Sequence, residues 1–121
     1  MKNKAMLIDD DDIICELGVE MLEMLDVEAM AAQSRDEAIE MFKKYYNEIA
    51  FVLVDLNVGK ESGIEIFNEL KAIDENVAGI TASGSLVDSD EAKYKAMGFS
   101  GIILKPYSIA TLKSLIDMYV K

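Results

Sequence analysis

The sequence predicts an α/β protein, a three-layer α/β/α sandwich around a five-stranded parallel sheet assembled from five βα units. Three observations lead there. Short apolar runs of strand length alternate with longer amphipathic stretches along the chain. Three of those runs are continuous, as in strands covered on both faces by helices. The 121 residues, 51% of them hydrophobic, are enough for one ordinary domain with a core, and five units leave no room for a linker or a repeat, so a single domain over 1–121 is expected.

The elements follow in order. Ala5-Met6-Leu7-Ile8 is the first strand, and Ile13, Leu17, Met21, Met24 and Leu25 recur at helical spacing as the apolar face of a first helix. A weaker run from Val27 to Ala32 is the second strand. Ser34-Arg35-Asp36-Glu37 has capping-box spacing and opens a second helix carrying Ile39, Phe42 and Tyr46. Phe51-Val52-Leu53-Val54 is the third strand, and Ser62-Gly63-Ile64-Glu65 opens a third helix in the same way. Val77-Ala78-Gly79-Ile80 predicts the fourth strand, and Ala92 to Met97, ending at Gly98, the fourth helix. Gly101-Ile102-Ile103-Leu104 is the fifth strand, and Ile109, Leu112, Leu115, Ile116 and Tyr119 mark a last helix after Ser108. Right-handed crossovers fold such a series into a doubly wound sheet, for which the flavodoxin-like order 2-1-3-4-5 is expected.

Composition narrows the chemistry. Lys and Arg total 12 against 23 Asp and Glu, and the net charge of −11 repels nucleic-acid phosphate, so no direct nucleic-acid partner is expected. With no His and a single Cys, the chain has no Ser/His or Cys/His nucleophile pair, no His-ligated zinc and no intrachain disulfide. Only four apolar residues, Ala5 to Ile8, precede the acidic run, which is no signal-peptide core, and no stretch approaches the ~18 apolar residues of a membrane span. With the unpaired Cys15, expected to serve as a small hydrophobe on the first helix, a cytoplasmic protein without membrane partners is predicted.

In open α/β sheets ligands bind beyond the carboxyl ends of the strands. The residues there are Asp9 and Asp10 after Ile8, Asp55 after Val54, Thr81 after Ile80 and Lys105 after Leu104. Taken alone, the run Asp9-Asp10-Asp11-Asp12 fits an N-cap with favourable dipole interactions as well as it fits a metal site. Four aspartates exceed what a cap uses, and like-charge repulsion between Asp9 and Asp10 favours a bound cation, for which Mg2+ is suited. Asp55 taken alone fits a turn cap; with the other carboxylates converging on it, it reads as a nucleophile that forms an aspartyl-phosphate. Lys105 would supply a positive point charge to phosphoryl oxygens.

These residues resemble a known family. Leu7-Ile8-Asp9-Asp10-Asp11, Val54-Asp55-Leu56-Asn57, Thr81-Ala82-Ser83 and Lys105-Pro106-Tyr107, in that order and spacing, are similar to the receiver domains of two-component response regulators, the CheY-like fold. The resemblance covers the whole chain. It implies that Asp55 accepts a phosphoryl group from a sensor histidine kinase or a histidine phosphotransfer protein. It implies that Asp9, Asp10, Asp55 and the backbone carbonyl of Asn57 hold Mg2+, that Thr81 and Lys105 contact the phosphoryl group, and that the Lys105–Pro106 peptide is cis. Asn57 and Ser83 occupy the positions that tune autodephosphorylation. Tyr94, Lys93, Lys95 and Lys113 would lie on the face that meets an unknown downstream protein. Ile102 stands where an aromatic switch residue is common, so the expected movement is of Thr81, with Gly84 loosening the following segment. The segment Val58 to Gly63 lacks the usual Met-Pro and is expected to be a loop.

The leading reading is a stand-alone phosphorylation-dependent switch, and the alternative is the excised receiver of a longer regulator whose output domain is absent. A small Mg2+-dependent aspartyl-phosphate phosphatase needs a second Asp two residues after the nucleophile as general acid, where this chain has Asn57. A flavin-binding module needs a phosphate-binding loop after the first strand, where this chain has four aspartates. A degenerate receiver would have lost a site residue, and none of the five is lost.

Overall fold

The computed structural model describes residues 2–83 and 91–120. In chain order the elements are β1 (Lys4–Ile8), α1 (Asp12–Met24), β2 (Glu28–Ala32), α2 (Arg35–Tyr45), β3 (Ile49–Asp55), β4 (Asn57–Val58), β5 (Glu61–Ser62), α3 (Gly63–Ile73), β6 (Gly79–Ser83), α4 (Glu91–Ala96), β7 (Gly101–Leu104) and α5 (Ile109–Tyr119). The main sheet has the order β2-β1-β3-β6-β7, every pair parallel, which is the expected doubly wound order of the five βα units. β4 and β5 form a separate two-stranded antiparallel hairpin where a loop was expected.

Side chains alternate across the strands and divide the interior in two. On one face, Met6, Ile8, Val52 and Val54 pack with Phe42, Ile66, Phe67 and Leu70 beneath α2 and α3. On the other, Ala5, Leu7, Phe51 and Leu53 pack with Leu22, Leu112 and Leu115 beneath α1 and α5. Phe67 stacks on Phe99 with ring centroids 4.3 Å apart, which seals the first core near α4.

The helix starts are set by side-chain caps. Asp11, Ser34, Ser62 and Ser108 precede α1, α2, α3 and α5, and each accepts a hydrogen bond from a first-turn N–H. Gly98, with φ +100°, follows α4 where the predicted stop lay. Gly63 answers a different demand: a Cβ there would lie 1.8 Å from the Asp55 carbonyl oxygen, so only glycine lets α3 start against the end of β3.

Two expectations are corrected. α1 forms, but Ile13, Leu17 and Met24 are 66%, 51% and 75% exposed, and its buried residues are Cys15, Gly18 and Leu22. The cause is close packing: a Cβ on Gly18 would meet Leu7 at 2.3 Å and Tyr107 at 3.2 Å, so the helix lies on the sheet through its small residues. Tyr94 is buried rather than displayed for a partner, its ring edge-on to Phe99. Lys113, on the exposed side of α5, pairs with Asp117 at 3.4 Å. Gly84 lies outside the described residues. No helix among the described residues is long and apolar enough to cross a membrane.

Candidate functional site

Asp9 follows β1 directly and Asp55 closes β3, and because Ile8 pairs with Val54 the two carboxylates emerge side by side at the same end of the sheet. The acidic run divides its labour. Asp11 is the N-cap, its Oδ1 accepting from Ile13 N at 2.9 Å and Ile14 N at 3.2 Å. Asp12 lies in the first turn of α1, where its Oδ1 accepts from the Gln33 side-chain amide. That leaves Asp9 and Asp10 for the crevice. Ligand oxygens of Asp9, Asp10 and Asp55 all lie within 4.8 Å of one another, so the predicted trio is assembled.

Asp9 is only 1% exposed and its charge is met from two directions. Its Oδ1 accepts from Asp11 N at 2.9 Å, and its Oδ2 lies 2.5 Å from Lys105 Nζ. The same ammonium is 3.3 Å from Asp55 Oδ2. Lys105 follows β7, two strands away from β3, so its long side chain reaches across β6 to arrive there. The Lys105–Pro106 peptide is cis, as the resemblance implied.

The electrostatics record the crowding. Burial pushes the Asp55 carboxyl above its ordinary value; the Lys105 charge opposes that shift and Asp9 adds to it. Burial alone would lower the Lys105 ammonium, but its hydrogen bond and charge interactions with Asp9, and then with Asp55, outweigh burial and raise it. Asp55 stays the more accessible of the pair, with its side chain 17% exposed.

Asn57 is placed by the hairpin. Gly63 N donates to Leu56 O at 2.8 Å, and Asn57 faces Ser62, so that pair is the non-hydrogen-bonded kind. The backbone N–H and C=O of Asn57 therefore turn away from β5, and the N–H donates to the Asp55 carboxylate. Thr81 lies inside β6 rather than at its end, because the strand runs on to Ser83; it pairs with Val54 on one side and Ile102 on the other. It is wholly buried and its Oγ1 has no hydrogen-bond partner among the described residues. Ser83 closes the strand beside Leu104.

Cys15 is buried as expected, its Sγ donating to Asp9 O at 3.3 Å, and burial pushes the thiol up to about 11. Three features had no sequence signal. Gln33 and Glu61 bond across 21 and 26 residues, which no local pattern reveals, and Tyr107 is buried with a hydroxyl that has no partner among the described residues.

Known proteins are similar to this chain. The model of the response regulator receiver domain matches residues 5–117. The chemotaxis protein CheY of Halobacterium salinarum is 30% identical over 109 residues, covering 88% of each chain. The regulatory protein VirG of Agrobacterium tumefaciens is 29% identical over 105 residues, which are 87% of this chain but 39% of VirG, so this chain spans well under half of that relative. A response regulator receiver domain protein from Clostridium thermocellum has a crystal structure that matches with a TM-score of 0.84 and 27% identity, covering 95% of this chain and 91% of that one. Because the family model spans most of the chain, the chain belongs to the response regulator receiver domain family of two-component signalling.

Proposed function

We propose that the protein is a phosphorylation-dependent switch, a single receiver over 1–121, that takes a phosphoryl group on Asp55 from the phosphohistidine of a sensor histidine kinase or histidine phosphotransfer protein. One observation carries this reading: a partly exposed carboxylate, Asp55, sits within 4.8 Å of Asp9 and Asp10 and 3.3 Å from the Lys105 ammonium. Attack by an Asp55 oxygen forms the new P–O bond while the P–N bond of the donor breaks and its electron pair stays on the imidazole nitrogen.

The donor set fits Mg2+. Asp9, Asp10 and Asp55 supply hard carboxylate oxygens, the Asn57 carbonyl is free of the hairpin, and one ammonium leaves three carboxylates under-compensated. Bound there, Mg2+ would neutralise charge on the phosphoryl oxygens. Lys105 would exchange part of its pairing with Asp9 and Asp55 for a phosphoryl oxygen, and the Thr81 hydroxyl, without a partner among the described residues, would donate to another. Asn57 and Ser83 stand at the sequence positions taken to tune the loss of the phosphoryl group, so phosphotransfer and autodephosphorylation would be the chain's own reactions.

The phosphodonor must bring its histidine to Asp55, so it covers the surface around the crevice. Ile13, Leu17 and Met24 form an exposed apolar stripe on the helix that starts at the acidic run, which suits an apolar helix face of that donor. A partner responding to the phosphorylated form would meet the other side, near β7 and α5, where Leu104 and Ile109 are exposed. A cytoplasmic location shared with the kinase is part of this proposal. The short match to VirG supports a second arrangement, the receiver of a longer regulator, with the same chemistry.

Intact-protein mass spectrometry after incubation with acetyl phosphate tests the reading. A single phosphoryl adduct that needs Mg2+ and is absent from Asp55→Asn is expected. An adduct that survives EDTA or that substitution refutes it.

A further inference from the structure

The turn between β2 and α2 contains neither a metal ligand nor a phosphoryl contact, yet it is tied to both loops that carry them. Gln33 donates its side-chain amide to Asp12 of the acidic run. Two residues on, Arg35 N donates to Glu61 Oε1 at 3.0 Å, and Glu61 pairs with Val58 in the hairpin, next to Asn57. The Arg35 guanidinium then grips both carboxylate oxygens of Glu69 on α3, with Nε at 2.6 Å and Nη2 at 2.5 Å. The turn itself is braced, since Glu37 N donates to Ser34 Oγ at 3.2 Å and Gln33 N donates to Glu37 Oε1 at 3.3 Å.

The sheet order gives these ties their meaning. β2 lies beside β1, and β1 beside β3, so the end of β2 borders the acidic loop, and the hairpin after β3 comes across to meet it. The oxygens of Asp9 and Asp10 stand on one loop and the Asn57 carbonyl on the other. No ladder of the main sheet extends to the hairpin among the described residues, because β4 and β5 pair with each other; what anchors it is the buried Val58.

From this geometry we infer that Gln33 and Glu61 are positioning residues for the metal site, holding the acidic loop and the Asn57 carbonyl at the spacing that a divalent cation requires, through a strap made by residues 33 to 35. The inference rests on the reading of Asp9, Asp10, Asp55 and Asn57 as Mg2+ ligands. Outer groups that orient ligands in this way tune affinity rather than create it.

The test is Mg2+ affinity of the 121-residue chain, measured by titration calorimetry in the absence of any phosphodonor. Glu61→Ala is expected to weaken binding about tenfold, the low end for a lost outer partner. Glu61→Gln keeps an oxygen that accepts from Arg35 N and is expected to restore the affinity, although it lacks the charge. Gln33→Ala, at the opposite end of the strap, is expected to weaken binding as well, and it carries the test alone if a Glu61 variant does not fold. Unchanged affinity in the alanine variants overturns the strap and leaves the ligand assignment standing. Equal losses in Glu61→Ala and Glu61→Gln assign the effect to charge and also overturn it. A wild-type chain that binds no Mg2+, or binds it unchanged in Asp10→Asn, overturns the ligand reading and the strap together.

Discussion

Asp10→Asn separates the cost of the acidic site from its use. Asp10 is exposed, and its ligand oxygen lies within 4.8 Å of those of Asp9 and Asp55, so it meets two like charges at close range. At 4.8 Å two unit charges repel by about 0.9 kcal/mol in bulk water and about 3.5 kcal/mol at an effective dielectric of 20. Exposure puts Asp10 toward the watery end, and the Lys105 ammonium cancels about one of its two repulsions. About 1 kcal/mol of net repulsion remains for the amide to remove, since asparagine keeps the shape. Asp10→Asn is therefore expected to stabilise the chain in EDTA by about 1 kcal/mol, or roughly 3–5 °C in Tm for a domain of this length. In excess MgCl2 the wild type should gain stability by mass action and the variant should gain far less, because a ligand is missing. Urea unfolding followed by far-UV circular dichroism, with and without the metal, reads both quantities. A variant less stable than wild type in EDTA, or one that keeps the full magnesium increment, refutes the reasoning.

Other perturbations test other parts of the molecule. Gly63→Ala forces a Cβ to within 1.8 Å of the Asp55 carbonyl oxygen, and backbone must move to relieve it; a loss of about 3 kcal/mol or more is expected in urea unfolding, together with a weaker Mg2+ increment. Tyr107→Phe deletes a buried hydroxyl that has no partner among the described residues and is expected to raise stability by about 1 kcal/mol in the same assay. Cys15 holds its proton more tightly folded than unfolded, so its contribution to stability falls between pH 9.0 and about 11. Its thiol should accordingly resist iodoacetamide in the native protein near neutral pH and react once urea exposes it; mass spectrometry of the adduct gives the rates.

The strands were legible because burial on both faces demands continuous apolar runs, and each run stops at a polar residue that the sheet then delivers to one end. β3 shows this best: Phe51 to Val54 are wholly buried and Asp55 follows. Thr81 was found at the site but misplaced within its strand, since Ala82 and Ser83 are small enough to continue β6 without looking apolar. The first helix was legible as a helix and not as a surface. Periodicity reports the large apolar residues, whereas α1 packs through Cys15 and Gly18, and Gly18 is small because Leu7 and Tyr107 occupy its space. The hairpin escaped because Asn57-Val58 and Glu61-Ser62 carry no strand-like alternation; Val58 alone is buried. The strap at 33–35 depends on partners more than twenty residues away, which only the folded chain brings near.

A switch of the proposed kind needs a group whose interactions differ between its two states, and the Thr81 hydroxyl would be the clearest case here. It is wholly buried with no hydrogen-bond partner among the described residues, a condition that costs free energy as long as it lasts. A phosphoryl group on Asp55 brings charged oxygen acceptors to the strand beside it, since Ala82 pairs with Asp55 and Thr81 with Val54. A hydrogen bond to such an acceptor is worth about 1.5–3 kcal/mol, which alone shifts a two-state equilibrium about ten- to a hundredfold. Ile102 is the register partner of Thr81 on β7, so it is the first neighbour to feel a displacement of that residue. A branched aliphatic side chain there packs against the core but has no ring to swing, so on the proposed reading the change would pass through the backbone of β6. Ile102→Tyr, which supplies the ring, separates the two routes. If the backbone route suffices, wild-type and variant chains show the same phosphorylation-dependent chemical-shift changes in β6 by NMR; changes that appear only in the variant would show that an aromatic is required.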